Sequence, residues 1–215
     1  MSYPCLCQLR PGGPELTAKL LANCSLTKDS RVLDIGCGRG ETVRLIRDAY
    51  TPHVLGVDTD PRLLAAARTA YPELEFCSGQ AEALEWGDAS FDLVLAECSL
   101  SLADTPAALR EIVRVLKPGG RLALSDVYAR GEGADLGEPG LLLRQLPTWG
   151  QWLALLDRAG LAFHSWQDES GALSQMLGQL IMEQGREAAY GLLGLDSCAL
   201  ARIRPGYLLL WGDKP

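Results

Sequence analysis

A glycine-rich loop between two apolar segments constrains the fold of this chain more than any other feature. Residues 31–60 read RVLDIGCGRGETVRLIRDAYTPHVLGVDTD, with glycines at positions 36, 38 and 40 and a second apolar segment that ends at Asp58. Glycines between a strand and a helix let the backbone pass close beneath a ligand, and the helix N-terminus directs free N–H groups at it. An acidic residue about 20 positions later, at the end of the next strand, is placed to accept both hydroxyls of a ribose. The segment therefore predicts an α/β fold that binds a nucleoside.

Asp34, two residues before the first glycine, indicates which kind of nucleoside the loop binds. A carboxylate that faces a pyrophosphate would meet like charge at close range, whereas it suits a ligand with an ammonium or a sulfonium group. The heptapeptide DIGCGRG at 34–40 resembles the first motif of class I S-adenosylmethionine-dependent methyltransferases rather than the G-x-G-x-x-G fingerprint of dehydrogenases. Both families would place a ribose carboxylate at Asp58, but the methyltransferase interpretation alone accounts for Asp34.

Alternating strand and helix patterns extend through the rest of the chain, and the strands lie too far apart for hairpins. Helix starts are indicated by Asp60-Pro61, by Asp104-Thr105-Pro106 and by a capping box that begins at Thr148. Right-handed crossovers bring the glycine loop and Asp58 to one edge of the sheet, at the carboxyl ends of its strands. We predict an α/β, Rossmann-like, doubly wound sheet of seven mostly parallel strands with helices on both faces. The resemblance implies that the last strand, over residues 207–211, runs antiparallel.

The 215 residues are enough for one domain with a full core. We divide this single domain into an N-terminal arm and lid segment (1–27), a cofactor-binding core (28–127), and a substrate lid loop with helices and the last strands (128–215). Only the resemblance places the first segment in a lid. Residues 128–150 contain glycines and prolines that break any regular pattern, and a long loop at the ligand edge of such a sheet is commonly a substrate lid.

Composition excludes several classes of partner. The formal net charge of -7 opposes a nucleic acid partner, because phosphate backbones are bound through surplus lysine and arginine. We find no apolar run that suits a signal peptide or a membrane span, and so predict a cytoplasmic protein with no membrane partner. The seven cysteines are odd in number and scattered, which opposes a disulfide framework. Cys5 and Cys7 are too close together for a zinc knuckle, so we expect no metal, and the oligomeric state cannot be predicted.

The resemblance is to the small-molecule branch of these methyltransferases, the methyltransferase type 11 or ubiquinone-biosynthesis-like proteins, and its motifs include LREIVRVLKPGG at 109–120. It implies S-adenosylmethionine as the cofactor and S-adenosylhomocysteine as the product. It further implies Asp34 near the methionyl ammonium, Asp58 on the ribose, and Gln80 with the Ala81 backbone N–H at the adenine. Many family members carry Asp where this chain has Gln80, whose carbonyl can still accept from the adenine amino group. The expected cofactor contacts are Asp34, Gly36, Cys37, Gly38, Gly40, Asp58, Thr59, Gln80, Ala81 and Glu97.

The segment after the fourth strand lies where the methyl group and its acceptor should meet. The stretches CSLSL at 98–102 and SDVYA at 125–129 resemble those of arsenite methyltransferases, which bind trivalent arsenic through thiolates. A soft metalloid suits such ligands, but that family has a further cysteine in the region that corresponds to 128–160, where this chain has none. Cys98 is thus either a substrate ligand or a small apolar side chain beside the sheet. We expect substrate contacts from Cys98, Tyr128 and Trp149.

These observations favour a methyltransferase that acts on a small-molecule acceptor by in-line displacement. The sulfonium already activates the methyl group, so the protein must hold the acceptor at near-attack distance. A general base is needed for an oxygen or nitrogen acceptor that must lose a proton. The alternatives are a metalloid or thiol methyltransferase that uses Cys98, a binding protein that keeps the cofactor fold without turnover, and a nicotinamide-dependent oxidoreductase, which Asp34 opposes.

Overall fold

The computed structural model describes residues 10–135, 145–187, 189 and 197–215, and within them the chain forms a seven-stranded sheet. The strand order is β3-β2-β1-β4-β5-β9-β8. These strands are β1 (Val32–Ile35), β2 (Val54–Asp58), β3 (Glu75–Ser78), β4 (Phe91–Glu97), β5 (Leu116–Ala129), β8 (Ala162–Asp168) and β9 (Pro205–Asp213).

Helices connect these strands and cover both faces of the sheet. They are α1 (Gly13–Leu21), α2 (Glu41–Ala49), α3 (Pro61–Ala70), α4 (Thr105–Val115), α5 (Trp149–Ala159), α6 (Ser170–Gln184) and α7 (Ser197–Ile203), with a 3-10 turn at Leu100–Leu102. Among the described helices, none has the length and apolar character needed to cross a bilayer.

Strand directions confirm the predicted topology. The strands β3, β2, β1, β4 and β5 pair in parallel, whereas β9 runs antiparallel to both β5 and β8. Strand β1 is buried along its whole length, as expected for a parallel strand inside the sheet with a helix layer on each side. The carboxyl ends of β1, β2, β4 and β5 therefore lie along one edge, which we call the carboxyl edge.

The core is divided by the sheet into two clusters. One cluster contains buried side chains of α1, α2, α3, α6 and α7, and the sheet surface beneath them is called the α1 face. The other contains buried side chains of α4 and α5 and lies on the α4 face. Because successive strand residues point to opposite faces, this division decides which side chains can meet at the carboxyl edge.

The helix caps read from the sequence are present. The Asp60 side chain accepts from the Arg62 backbone N–H at 2.8 Å, and that of Asp104 accepts from the Ala107 N–H at 3.0 Å. Thr148 forms the expected capping box at the start of α5. Each cap satisfies a backbone donor that the helix leaves free, and so fixes where α3, α4 and α5 begin.

The region predicted as an irregular lid loop is more ordered than expected. Strand β5 continues to Ala129, and a short antiparallel pair follows, β6 (Ala134–Asp135) with β7 (Gln145–Leu146). The strands were missed because two paired residues are too few for a period-2 pattern in the sequence. The loop glycines at 137 and 140 and the proline at 139 lie outside the described residues.

Candidate functional site

The glycine loop lies at the carboxyl edge and uses backbone conformations that favour glycine. Gly36, Gly38 and Gly40 have φ angles of 74°, 54° and 82°. A Cβ atom on Gly36 would lie 2.6 Å from the Ser99 Cβ, so this close approach requires a residue without a side chain. Helix α2 begins at Glu41, directly after Gly40. The first backbone N–H groups of this helix have no partner within it and are directed toward the glycine loop.

Cys37 contributes its backbone to this loop rather than its thiol. Its N–H donates to the Val57 carbonyl at 3.1 Å, and its side chain is 7% exposed. A Cβ on Gly56 would lie 2.7 Å from the Cys37 sulfur, which shows how tightly the thiol packs against β2. Burial raises the pKa of this thiol, so it stays protonated and unreactive.

Asp58 ends β2 beside the glycine loop. Its Oδ2 accepts from the Gly38 N–H and its Oδ1 from the Asp60 N–H, both at 2.8 Å. These bonds fix the carboxylate in place, and because each oxygen has a further lone pair, the group can still accept from a vicinal diol. Thr59 follows it as an exposed residue.

Gln80 and Ala81 lie in the loop after β3, on the far side of Asp58 from the glycine loop. The Gly79 N–H donates to the Asp58 carbonyl at 3.1 Å, and the exposed Gln80 accepts from the Ala83 N–H at 3.1 Å through its backbone carbonyl. A purine next to the diol site would lie against this loop.

An ion pair on α4, between Arg114 and Glu111, holds the loop after β3 in place. The Arg114 guanidinium donates to the carbonyls of Leu84 and Trp86 at 2.8 and 2.7 Å, and Glu111 accepts from the Leu84 N–H at 2.8 Å. Arg114 and Glu111 also bind each other at 2.7 Å. These two residues of the LREIVRVLKPGG motif thus have a structural task, which is to hold the loop after β3.

A polar network around Glu97 was not predicted as a unit. Glu97 Oε1 accepts from the Thr42 hydroxyl at 2.9 Å, and Oε2 accepts from the Thr17 hydroxyl at 2.7 Å. The Arg10 guanidinium lies 3.5 Å from Oε1 and donates to the Thr42 hydroxyl at 2.5 Å. The network connects α1, α2 and β4 directly above the glycine loop. Thr17 shares the buried face of α1 with Leu20 and Leu21, and a hydroxyl on an apolar helix stripe is the sequence feature that could have revealed it.

Asp34 faces this network with an unsatisfied oxygen. Its side chain is 2% exposed, and its Oδ2 has no hydrogen-bond partner among the described residues. Burial first, and then the nearby Glu97 carboxylate, hold the pKa of Asp34 well above its usual range. An unpaired buried oxygen is costly, and this atom could accept a hydrogen bond from a ligand. The Ser99 hydroxyl at the same edge is also buried and has no hydrogen-bond partner in the described part of the chain.

Cys98 follows β4 in a strained backbone conformation with φ 52°. Its N–H donates to the Ser125 carbonyl at 2.7 Å, and its sulfur lies 3.1 Å from the Tyr207 hydroxyl, which donates to the Ser125 hydroxyl at 2.8 Å. Burial raises the pKa of both the Cys98 thiol and the Tyr207 hydroxyl. Cys98, Tyr207 and Ser125 thus form a short row of hydrogen-bonded side chains on the α1 face, and the uncharged Cys98 thiol is at one end of this row.

Two of the expected substrate residues lie elsewhere. Tyr128 is 4% exposed and packs edge-on against Trp166 at 6.0 Å, and Trp149 stacks on the same ring at 4.2 Å. All three belong to the cluster on the α4 face, whereas Cys98 packs on the α1 face. The structure therefore does not bring Tyr128 or Trp149 together with Cys98.

The carboxyl edge as a whole suits one kind of ligand. It provides a glycine loop, a fixed carboxylate for a diol, and a buried carboxyl oxygen that lacks a donor. A nucleoside that also carries an ammonium group matches all three. Among residues 10–135, 145–187, 189 and 197–215, no group of three histidine, cysteine or acidic side chains could hold a metal ion.

Comparison with known proteins gives the chain a set of relatives. A family model described as a methyltransferase domain matches residues 33–124. The O-methyltransferase rstn1 of Aspergillus nomiae is 30% identical over 174 residues, which cover 73% of this chain and 76% of that protein. The uncharacterized methyltransferase sll0829 of Synechocystis is 39% identical over 129 residues, 57% of this chain and 59% of that protein. An arsenite methyltransferase of Aquipseudomonas alcaligenes is 35% identical over 141 residues, 57% of this chain and 41% of that protein.

The chain spans little more than half the length of several relatives that it matches. Among solved structures, a protein described as the [4+2]-cyclase SpnF has a TM-score of 0.77 and 26% identity, over 94% of this chain and 81% of that one. The geranyl diphosphate C-methyltransferase of Streptomyces coelicolor, solved with S-adenosylhomocysteine, has a TM-score of 0.79 and 13% identity, over 94% of this chain and 79% of that one. At that identity the second likeness concerns the fold alone.

Proposed function

The chain belongs to the class I S-adenosylmethionine-dependent methyltransferases, and we propose that it transfers a methyl group to an uncharged, mainly apolar small molecule at the carboxyl end of β4. The observation that carries this proposal is the unpaired Oδ2 of the buried Asp34, set between a glycine loop and the fixed carboxylate of Asp58. In a dehydrogenase, a carboxylate at this position would repel the pyrophosphate that the glycine loop receives.

The cofactor would be held by residues of the first four strands and their loops. Asp34 would accept from its ammonium group, Asp58 from its ribose hydroxyls, and Gln80 with the Ala81 N–H would meet its adenine. S-adenosylmethionine supplies a methyl group that its own sulfonium already activates. Further contacts are expected along the same edge. They would come from the Glu97 network and from the backbone of the remaining predicted residues, which are Gly36, Cys37, Gly38, Gly40 and Thr59.

The proposed acceptor site lies around Cys98 on the α1 face. Partly buried apolar side chains of α1, the 3-10 turn, α6 and α7 pack on the same cluster as Cys98; they are Leu16, Leu102, Met176, Leu177 and Leu200. Two carboxyl groups act on Cys98, and both already have partners. Asp126 accepts from the backbone N–H groups of Ser101 and Val127, and Glu97 is engaged by Thr17, Thr42 and Arg10. Within the described part of the chain, an acceptor here would meet these apolar walls, with Cys98, Tyr207 and the Ser99 hydroxyl as the neighbouring polar groups.

Such a site works by positioning rather than by proton abstraction. The chain has two histidines, and both lie at the edge opposite to the site: His53 precedes β2, and His164 is 3.2 Å from Asp213 near the amino end of β5. No imidazole therefore reaches the acceptor. An acceptor whose nucleophilic atom needs no strong base suits this arrangement, because near-attack positioning alone supplies much of the acceleration.

Methylation of a metalloid or a thiol is the alternative, and the 35% identity with an arsenite methyltransferase favours it. Against it stands the partly buried Cys98 thiol, whose raised pKa disfavours the thiolate that arsenic binds. Cys5 and Cys7 lie outside the described residues. Arsenite is therefore included in the test.

The first experiment is calorimetric titration of the reduced protein with S-adenosylhomocysteine, with NAD, and with S-adenosylhomocysteine in the presence of arsenite. We expect micromolar binding of the first ligand, no response to NAD, and no effect of arsenite. Coupling between arsenite and S-adenosylhomocysteine would instead support the metalloid alternative. Absence of S-adenosylhomocysteine binding would overturn the proposal.

A second experiment separates methyl transfer from other uses of the fold, because one structural relative is described as a cyclase. The protein is incubated with methyl-labelled S-adenosylmethionine and a panel of uncharged, charged and metalloid acceptors. We expect S-adenosylhomocysteine and labelled product with uncharged apolar members of the panel. Conversion of a compound without any S-adenosylhomocysteine would show that the cofactor site does not serve methylation.

Asp58→Ala tests the ribose assignment. We expect it to weaken S-adenosylhomocysteine binding by about 1–3 kcal/mol, or roughly 5- to 150-fold, through loss of charge-assisted hydrogen bonds. The readout is the dissociation constant from calorimetry, with thermal unfolding as a check on the fold. Asp48→Ala is the matched control, since Asp48 is an exposed residue of α2 paired with Arg44. Equal affinities of the two variants would contradict the role of Asp58.

A further inference from the structure

We propose that Asp34 is uncharged in the free protein and releases its proton when an ammonium-bearing nucleoside binds, so that the site distinguishes the methionyl cofactor from truncated nucleosides. This inference rests on the proposed function for the identity of the ligand. It adds a coupled proton and a basis for selecting ligands by their ammonium group.

In the described part of the chain, no cation forms an ion pair with Asp34. Its side chain is 2% exposed, and its Oδ2 lacks a hydrogen-bond partner among the described residues. The neighbouring cation, Arg10, is directed to Glu97 and to the Thr42 hydroxyl instead. An isolated carboxylate in such a place is unfavourable, because removal of a charge from water costs far more than removal of a neutral carboxyl group.

Among the described residues, three charged groups act on Asp34, and each comes from a different element. Glu97 faces it from β4, Asp58 from β2, and Arg10 from the segment before α1, and the Cys37 thiol in the glycine loop stays neutral. Three carboxyl groups thus share one guanidinium. Burial and the Glu97 carboxylate raise the pKa of Asp34, Arg10 opposes that rise, and Asp58 adds to it.

An ammonium group changes this balance. When it lies against the unpaired Oδ2, the pair of ammonium and carboxylate replaces the neutral carboxyl group, and the proton of Asp34 passes to the solvent. Glu97 takes no part in the exchange, since its two oxygens already accept from the hydroxyls of Thr17 and Thr42. The net reaction is one ligand bound and one proton released.

The sign of the pH dependence follows. The pKa of Asp34 is raised in the free protein and lower in the complex, so a proton is released at pH values between the two. In that window the affinity rises as pH rises, by at most tenfold per pH unit. Above the raised pKa of the free protein, Asp34 is already charged and the affinity no longer depends on this group.

The test is calorimetry in three buffers with different ionisation enthalpies at each of several pH values from about 5 to 7, which yields the number of protons released at each pH. These pH values keep the amino group of the ligand charged, because α-amino groups titrate at about 7.7–8.0. We use S-adenosylhomocysteine and, as matched ligand, 5′-methylthioadenosine, which has the adenine and ribose but no ammonium. We expect proton release with the first, at the pH values between the pKa of Asp34 in the free protein and its pKa in the complex, and none with the second.

Two substitutions complete the design. Asp34→Asn keeps the shape of the side chain, and we expect it to abolish proton release and to lower S-adenosylhomocysteine affinity at least about tenfold at pH 7, with methylthioadenosine affinity unchanged. Asp48→Asn alters an exposed aspartate of α2 and should behave as the unmodified protein.

Binding of S-adenosylhomocysteine with no proton release, or with the same release in Asp34→Asn, overturns the inference and leaves the proposed function standing. Failure of the unmodified protein to bind S-adenosylhomocysteine overturns the proposed function itself. If Asp34→Asn does not fold, the comparison of the two ligands on the unmodified protein still decides the question.

Discussion

Gly38→Val is expected to raise the dissociation constant for S-adenosylhomocysteine by more than about 100-fold, a loss of about 2.7 kcal/mol or more. Gly38 has a φ of 54°, a conformation that a β-branched residue avoids, and its N–H donates to Asp58 at 2.8 Å. A valine would therefore displace the loop, release the Asp58 carboxylate and place methyl groups where the backbone approaches the ligand. Calorimetry with S-adenosylhomocysteine measures the loss.

The control for Gly38→Val must separate backbone strain from the loss of the site. Gly160→Val serves this purpose, because Gly160 ends α5 with a φ of 84° and a Cβ there would have no neighbour within 4 Å. Both variants carry about 1–3 kcal/mol of backbone strain, visible in thermal unfolding, but Gly160→Val should keep the affinity of the unmodified protein. Undiminished binding by a folded Gly38→Val variant would contradict the close-approach argument.

Most of the sheet could be predicted from local sequence because its elements have strong local patterns. Strand β1, which is apolar apart from Asp34, the Asp60 and Asp104 caps and the capping box at Thr148 each specify an element within a few residues. The topology then follows from chain order, since parallel strands joined by helices cross over with one hand. The antiparallel β9 is the exception, because its direction depends on the long segment before it and was implied by the family resemblance.

Several of the predicted cofactor contacts at the carboxyl edge lie close together in sequence. Asp34, the glycines and Asp58 fall within 25 residues, and one strand-helix-strand unit brings them together. The Glu97 network could not be predicted in the same way, since Arg10, Thr17 and Thr42 reach Glu97 from positions 55 to 87 residues away. Such contacts depend on how α1 docks on the sheet, which no local pattern specifies.

The expected substrate contacts at Tyr128 and Trp149 illustrate a second limit. Tyr128 was expected at the acceptor site with the stretch SDVYA at 125–129, which resembles arsenite methyltransferases, but the alternation of side chains along β5 places Tyr128 on the α4 face. Ser125, three residues earlier, points to the α1 face and meets Tyr207 there. A shift of one residue in a strand changes the face, so a prediction of the sheet edge does not settle which side chains meet.

Trp211→Ala is expected to lower the free energy of unfolding by about 3–5 kcal/mol, which for a chain of this size lowers Tm by about 6–20 °C. Trp211 is fully buried in β9, where it pairs with Ala123 of β5 and Ser165 of β8. Its Nε1 donates to the Leu20 carbonyl of α1 at 2.9 Å. The substitution thus leaves a large cavity in the core of the α1 face and removes a hydrogen bond that fastens α1 to the sheet.

The effect of Trp211 should extend to the site, because α1 also carries Thr17, which hydrogen-bonds Glu97. Trp211→Phe isolates this link: it keeps an aromatic ring, loses the Nε1 donor, and should cost about 1–3 kcal/mol of stability while weakening S-adenosylhomocysteine binding. Phe163→Ala is the matched control, since Phe163 is 45% exposed on β8 and its loss should cost about 1 kcal/mol or less. If Trp211→Ala were no more destabilising than Phe163→Ala, the last strand would not anchor α1, and the Glu97 network would need another explanation for its position over the glycine loop.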